Sequence, residues 1–240
     1  MDIRSRVGKP LKHFTVTQGS CYGDGFIFMS FEQKENKKEG RKQRIKIVKM
    51  KANKAKTVVK VSEPLNIGHS NDMCYRDGVL YITHSGSSKL IHCVDADTLK
   101  PIGDRKITGI SSGGFNGITC YGKYYMVKKM HSRSVYILDT NFHYNGKKKR
   151  HIKLQKKFLT SQGICWHNGK LHQATSSGQS TKNCVNIYNV KGARVGCIRY
   201  KHKCEMEGVF FIDNKEYITI HKKYKKHKKT QVESYIRRLV

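Results

Sequence analysis

Residues able to do chemistry recur in this chain at a near-constant interval. Five segments begin alike, each on a polar amide or carboxylate: Gln18-Gly19-Ser20-Cys21-Tyr22, Asn71-Asp72-Met73-Cys74-Tyr75, Asn116-Gly117-Ile118-Thr119-Cys120, Gln162-Gly163-Ile164-Cys165-Trp166 and Glu207-Gly208-Val209-Phe210-Phe211. Gathered at one place, two Gln, two Asn and one Glu offer carbonyl oxygens, amide donors and a single carboxylate. That set suits a small polar ligand, a hard cation or an ordered water cluster, and it equally suits amides that only tie backbone groups and water together. His69 and Asp72 flank Asn71 and break the repeat with two titratable groups. With Glu207 they are the candidates for catalysis, and Asn71, Asn116 and Glu207 are the candidate metal ligands.

The elements that must position these residues follow from the spacing. Successive openings lie 53, 45, 46 and 45 residues apart, a period in the range of propeller blades. After each opening comes a turn signal (Gly23-Asp24-Gly25, Asp77-Gly78, Gly122-Lys123, Asn168-Gly169, Asp213-Asn214) and then further short runs of β-branched and aromatic residues. Four repeats hold four such runs, and the last holds three. An orphan run over Lys12 to Thr17 precedes the first repeat and is expected to complete the last blade. The reading is one all-β domain over residues 1–240, a five-bladed β-propeller of four-stranded blades. A β-sandwich gives no reason for the opening motif to recur.

In a propeller the first strand of each blade is innermost, so Gln18, Asn71, Asn116, Gln162 and Glu207 are expected to converge on the axial channel as a ligand-binding ring. The connections from second to third strand fall on the same face. In the first and last blades these are the basic inserts Glu32 to Arg44 and His221 to Gln231. They become neighbours on ring closure, and Lys37, Lys38, Arg41, Lys42, Lys222, Lys223, Lys225 and Lys226 are expected to form an anion-binding rim. Tyr224 adds an aromatic to the second insert. The run Lys147 to Arg150 belongs to the opposite face.

The 240-residue chain carries 48 Lys and Arg against 17 Asp and Glu, a formal net charge of +31. Lys outnumbers Arg 36 to 12, a bias toward polyanion attraction with shallow specificity over bidentate base or phosphate reading. Expected partners are therefore anionic: nucleic acid, a cell-wall polymer or a phosphorylated small molecule. No apolar window approaches a membrane span and residues 1–17 hold no signal-peptide core. Eight cysteines without a C-x-x-C pair point to a reduced, cytoplasmic monomer. Cys21, Cys74 and Cys165 share one motif position and read as apolar filler between blades, too far apart to pair. The twelve histidines show no zinc spacing.

The opening motif followed by D-G-x-L-Y-I-T, here Asp77 to Thr83, resembles lactonase-like propellers and, with five blades, glutaminyl-peptide cyclotransferases. The segment Gly68-His69-Ser70-Asn71-Asp72-Met73-Cys74-Tyr75 is similar to one in bacterial five-bladed propellers. The cyclotransferase pattern T-Q-G-x-x-(F/Y) is met by Thr17 to Tyr22, but the acid it implies on the next strand falls at Met29, with Glu32 nearby and out of register. The lactonase-like resemblance implies a divalent cation such as Ca²⁺ on the axis, held by Glu207, Asn71 and Asn116 beside Asp72.

Two functions are compatible with these residues. One is a recognition module that binds an anionic ligand through the polar ring and the lysine rim. The other is a propeller enzyme, a metal-centred hydrolase or a cyclotransferase, in which a cation or the Asp72/His69 pair activates water or moves a proton. The recognition reading is favoured by the lack of a nucleophile constellation.

Overall fold

The computed structural model describes residues 2–35, 40, 42–53, 57–84, 88–111, 113–155, 160–226 and 229–239. Five antiparallel sheets stand in a ring, one per sequence repeat. Blade one holds β1 (Val16–Gly23), β2 (Phe26–Gln33), β3 (Arg44–Lys51) and β4 (Val58–Val61). Blade two holds β5 (Ser70–Arg76), β6 (Val79–His84), β7 (Leu90–Asp95) and β8 (Pro101–Lys106). Blade three holds β9 (Phe115–Tyr121), β10 (Tyr124–Lys129), β11 (Ser134–Leu138) and β12 (His151–Lys153). Blade four holds β13 (Thr160–His167), β14 (Lys170–Ser176), β15 (Asn183–Tyr188) and β16 (Arg194–Tyr200). Blade five holds β17 (Glu205–Ile212), β18 (Lys215–Lys226) and β19 (Lys229–Arg238). Among the described residues no helix is long and apolar enough to cross a membrane.

The tight turns between first and second strands are made by residues that accept positive φ. Asp24-Gly25, Asp77-Gly78, Asn168-Gly169 and Asp213-Asn214 all have φ between 45° and 79°, the twist that matches a two-residue hairpin. Alternation along the strands then buries one face of each blade against the next. Apolar clusters fill the spaces between blades: Phe28, Ile47, Met73 and Leu80 between blades one and two, and Ile91, Phe115, Ile118 and Phe142 between two and three. Met126, Ile164, Leu171 and Tyr188 join blades three and four, Val185, Met206 and Ile218 join four and five, and Ile27, Met29, Phe31 and Phe210 join five and one. Met29 thus belongs to the interblade core, away from the axis.

Ring closure differs from the expected fourth strand. Residues 12–15 are not a separate strand, and Val16 and Thr17 already pair with Glu32 and Phe31 as the start of β1. Gly8 at φ 70° and Pro10, which lacks an N–H, turn the chain ahead of it. The segment closes blade five with α1 (Ile3–Val7) instead. Asp2 caps α1 and also accepts the Ser234 N–H at 2.8 Å, while Arg4 Nη1 donates to the Val232 carbonyl at 2.7 Å. These bonds occupy the Val232 carbonyl and the Ser234 N–H on the β19 edge that a fourth strand would have used.

At the centre, the motif position after each opening residue is Gly19, Asp72, Gly117, Gly163 or Gly208. A Cβ on Gly19 would lie 2.6 Å from Asp72 Cα, one on Gly163 3.0 Å from Asp72 Oδ1, and one on Gly208 2.6 Å from Ser20 Oγ. The axis therefore has room for one side chain at this level. Asp72 occupies it, fully buried, and its Oδ2 accepts the N–H groups of Ile118 and Ile164 at 2.9 Å each. One carboxylate from blade two thus ties blades three and four. Asp72→Ala would orphan two buried donors, each costing about 1–3 kcal/mol, so chemical denaturation should show a loss of at least about 2 kcal/mol in stability. Asp72→Asn keeps an acceptor oxygen and should lose clearly less.

Candidate functional site

Each of the five opening residues sits at a β-bulge. The register between first and second strands slips by one at Thr17/Ser20, Ser70/Asp72, Lys128/Lys129 opposite Asn116, Ser161/Gly163 and Met206/Gly208. A bulged residue leaves the ladder and its side chain is re-aimed. Gln18, Asn71, Asn116, Gln162 and Glu207 are all buried there. Asn116 Nδ2 donates to the Ser161 carbonyl of the next blade at 2.8 Å, and Gln162 Nε2 donates to Glu205 Oε1 at 3.3 Å. Asn71 Oδ1 and Asn116 Oδ1 are buried with no hydrogen-bond partner among the described residues.

Asp72 divides the channel into two mouths. The mouth on the side of the bulges is chemically the richer one. Buried Glu207 places Oε1 2.8 Å from Nδ1 of buried His221, and on the other side of that ring Nε2 lies 3.4 Å from Oε2 of the partly exposed Glu205. From the interior outward the order is Glu207, His221, Glu205. Burial pushes the Glu207 carboxyl well above its usual range, reinforced by the Glu205 charge and opposed by His69 and Lys223. Burial likewise pushes the His221 imidazole down to about 4.

A second pair, from blades one and two, stands at the same mouth. Glu32, buried, reaches His69 Nδ1 at 3.0 Å and accepts a hydrogen bond from Gln43. Burial opposes ionisation of both groups, but the hydrogen bond and mutual charge win: Glu32 is held below its ordinary value and His69 above its own. The Lys34 charge acts on Glu32, His69 and His221, and the Lys223 charge on Glu207 and His221. Glu32, Lys34, Glu35, Gln43, His69 and His84 line an open cleft of about 490 Å³.

Several sequence expectations change on this geometry. Asp72 is completely buried and ties two blades through Oδ2, while its Oδ1 has no hydrogen-bond partner among the described residues. Of the two residues flanking Asn71, only His69 faces the mouth cleft. The described residues of the insert, 221–226 and 229–231, continue the β18–β19 pairing, and Tyr224 donates to Glu233 Oε1 at 2.8 Å. Strand alternation then divides its lysines. Lys223 acts on the mouth, whereas Lys222 lines a groove with Tyr200, Cys204 and Arg237. Lys42 is exposed and receives a bond from Gln33 at its carbonyl. Lys37, Lys38 and Arg41, and the side chains of Lys225 and Lys226, lie outside the described residues. Sequence reasoning missed Glu32, Glu205 and His221 as a set, because His221 stands in a basic run and no short spacing links the three.

No protein-family model and no curated protein matches the chain. Among solved structures, RS223-β-xylosidase superposes with a TM-score of 0.61 at 11% identity, covering 94% of this chain and 92% of that one. The GH43_1 enzyme from Xanthomonas citri complexed with xylose superposes with a TM-score of 0.59 at 8% identity, covering 94% and 88%. Myxococcus xanthus glutaminyl cyclase matches at a TM-score of 0.44 and 13% identity, over 67% and 86%. The chain is a five-bladed β-propeller whose structural neighbours include enzymes. At these identities the likeness is one of fold.

The His69–Glu32 pair makes a signed prediction. In proton NMR His69 should titrate above 6.5 in the native protein and clearly lower in Glu32→Gln, where burial and the Lys34 charge are opposed only by Glu207. The His69 part of the stability is complete below about 6.5 and lost as pH rises through the raised value, while the Glu32 part is complete above about 4.3 and lost as pH falls. An unchanged His69 titration in Glu32→Gln would exclude the pairing.

Proposed function

We propose that the protein is an enzyme whose centre is the bulge-side mouth, acting by proton transfer on a small polar substrate that carries an anionic group. The observation that carries this reading is the Glu207–His221–Glu205 relay: a buried carboxyl pushed up and a buried imidazole pushed down, in contact, at a point where the axis meets solvent. Groups driven apart in this way mark acid–base work, and burying them costs stability that a passive surface need not lose.

Each residue has a role by position. Glu205, the outermost member and partly exposed, meets the substrate and takes its proton as general base. Its Oε1 is oriented by the Gln162 amide. His221 holds a neutral ring behind it, and Glu207 Oε1 approaches its Nδ1 to 2.8 Å outside hydrogen-bonding alignment; both are positioning residues. His69, pushed up by its contact with Glu32, supplies positive charge when protonated, where negative charge develops. Lys34 and Lys223 draw the anionic group of the substrate to the mouth. The proposed setting is a monomer in the cytoplasm.

A divalent cation is the second reading, favoured by one observation. Glu205, Glu207 and His221 each present a ligand atom, all within 4.8 Å of one another. This set shares only Glu207 with the calcium trio expected from sequence, and its imidazole nitrogen suits Zn²⁺ or Mn²⁺ better than Ca²⁺. Such an ion, when bound, would polarise substrate oxygen or lower the pKa of a bound water.

Chromogenic esters, lactones and xylosides, each with and without a phosphate or carboxylate substituent, test the proposal. Glu205→Gln should lower kcat by at least about 100-fold with an unchanged melting curve, and Lys223→Ala should raise KM for the anionic member alone. Equal turnover in Glu205→Gln would overturn the assignment. Absence of turnover on every substrate, joined to salt-sensitive binding of polyphosphate, would return the protein to the class of anion-recognition modules. Loss of turnover with a chelator, restored by Zn²⁺, would establish the cation.

A further inference from the structure

Away from the axis, two clefts flank the outer edge of blade four, and neither includes a residue of the proton-transfer relay. β16 is the last strand of its sheet, so alternation along it and the residues that follow sends side chains to two sides of an open edge. On one side Arg199 and Lys201 line a cleft of about 400 Å³ with Lys182 and Asn183. On the other, Tyr200, His202 and Lys203 share a groove of about 470 Å³ with Lys222, Tyr235 and Arg237 of blade five. Its apolar lining is Cys204 and Ile220, both buried.

The loop after β16 is tied down from beneath. Asn183, 1% exposed, donates from Nδ2 to the Ser180 carbonyl at 2.7 Å and to the Cys204 carbonyl at 2.9 Å, and its Oδ1 accepts the Ser176 hydroxyl at 2.7 Å. Ser180 and Cys204 also exchange both of their backbone bonds. Lys201, His202 and Lys203 are exposed, yet a ligand meets them on a main chain that is already ordered. The Tyr200 and His202 rings lie 4.9 Å apart at 51°, and on the facing wall the Arg237 guanidinium lies 4.8 Å from the Tyr235 ring centroid. Stacking on a ring leaves the in-plane N–H fork of a guanidinium directed outward, where it can bond a phosphate.

The charge is one-sided. Seven lysines and arginines line the two clefts, and among the described residues no Asp or Glu does. Three of the seven are Arg199, Arg237 and Arg238, in a chain with 12 Arg against 36 Lys. Glu233 shares a face of β19 with Tyr235 and Arg237, but its two oxygens accept the Tyr224 and Tyr235 hydroxyls. Glu205 and Glu207, whose charges reach Cys204, stand toward the axis and bias an anion to the outer part of the groove.

We propose that the two clefts and the β16 edge between them bind single-stranded nucleic acid, with phosphates on Arg199, Lys201, Lys203, Lys222 and Arg237 and bases against Tyr200 and His202. Cations free of carboxylates select a polyanion, whose counterions are released on binding. The rings and the apolar lining beside them match the π-faces of bases and would be idle against polyphosphate or a sulfated polysaccharide. A duplex stacks its bases on one another and closes them to such rings, so a single strand fits better. Cations on both sides of the edge exceed the need of one phosphate, which favours a chain of nucleotides over a free one. Contacts to phosphates and ring faces carry little sequence information, so binding is expected to be sequence-tolerant.

Fluorescence anisotropy of the full chain with a labelled single strand of about 12 nucleotides, within the usual site size of such grooves, tests this. Lys222 and Arg237 are exposed, and replacing both by Ala should weaken binding at least about tenfold. Lys148→Ala with Lys149→Ala removes the same charge from blade three and should change it by no more than about twofold. Without any variant, an abasic strand of equal length, which keeps every phosphate, should bind at least about tenfold more weakly. Photocrosslinking of a 4-thiouridine strand should map to the peptide holding Tyr200 and His202. Equal loss in the two double variants, equal binding of the abasic strand, a crosslink at the bulge-side mouth, or a nucleoside monophosphate that competes as well as the strand would each overturn the proposal. None of these readouts depends on turnover at the axis.

Discussion

Everything in this molecule is arranged around the space at its axis, and that space admits one side chain. Five strands meet there so closely that four must present glycine at the level where the fifth presents Asp72. Because the Asp72 carboxylate accepts two backbone N–H groups from two other blades, the residue that fills the space also joins the ring. A carboxylate in this position is costly to desolvate, and burial drives its pKa well up while the N–H groups of Ile164, Ile118 and Met73 pull it down. The pin separates the channel into a polar mouth and a thiol-lined mouth.

At the polar mouth the electrostatics contain a tension. A chain with a net charge of +31 gathers Glu32, Glu205 and Glu207 at its axis, and the lysines stand around them. An anion entering the channel itself would meet carboxylates, so the lysines serve a ligand better at the rim than on the axis. The two histidines respond in opposite directions to the same neighbourhood. His69 faces a carboxylate and is pushed up, while His221 sits deeper and is pushed down to about 4. One mouth thus holds two imidazoles shifted in opposite directions by their neighbours.

Much of the fold was legible in the sequence because its signals are local. The interval between openings reports the blade count, the Asp-Gly and Asn-Gly pairs report hairpins, and alternation reports which face of each strand is buried. The site was legible only in part. The five ring residues were visible as repeated polar openings, and His69 as a break in the repeat. Asp72 was visible too, but as chemistry, because nothing local reveals that four glycines leave room for it.

What the sequence by itself determined is therefore the blade number, the identity of the innermost strands and the ring of polar residues. The tertiary structure alone decided which second-strand residues face that ring, and how the ring closes. The physical reason is the bulge. Counting back from the Asp213-Asn214 turn without interruption would place His221 opposite Met206; the bulge at Glu207 shifts the pairing by one, so that His221 opposes Glu205. The same slip in blade one sets Glu32 opposite Val16. In a strand a shift of one residue exchanges the two faces, and a residue that reads as part of a solvated basic run becomes a buried partner of two carboxylates. Closure followed the same rule of context: two backbone groups of the β19 edge are bonded by Asp2 and Arg4 of the N-terminal segment, a pairing over more than two hundred residues that no local pattern encodes.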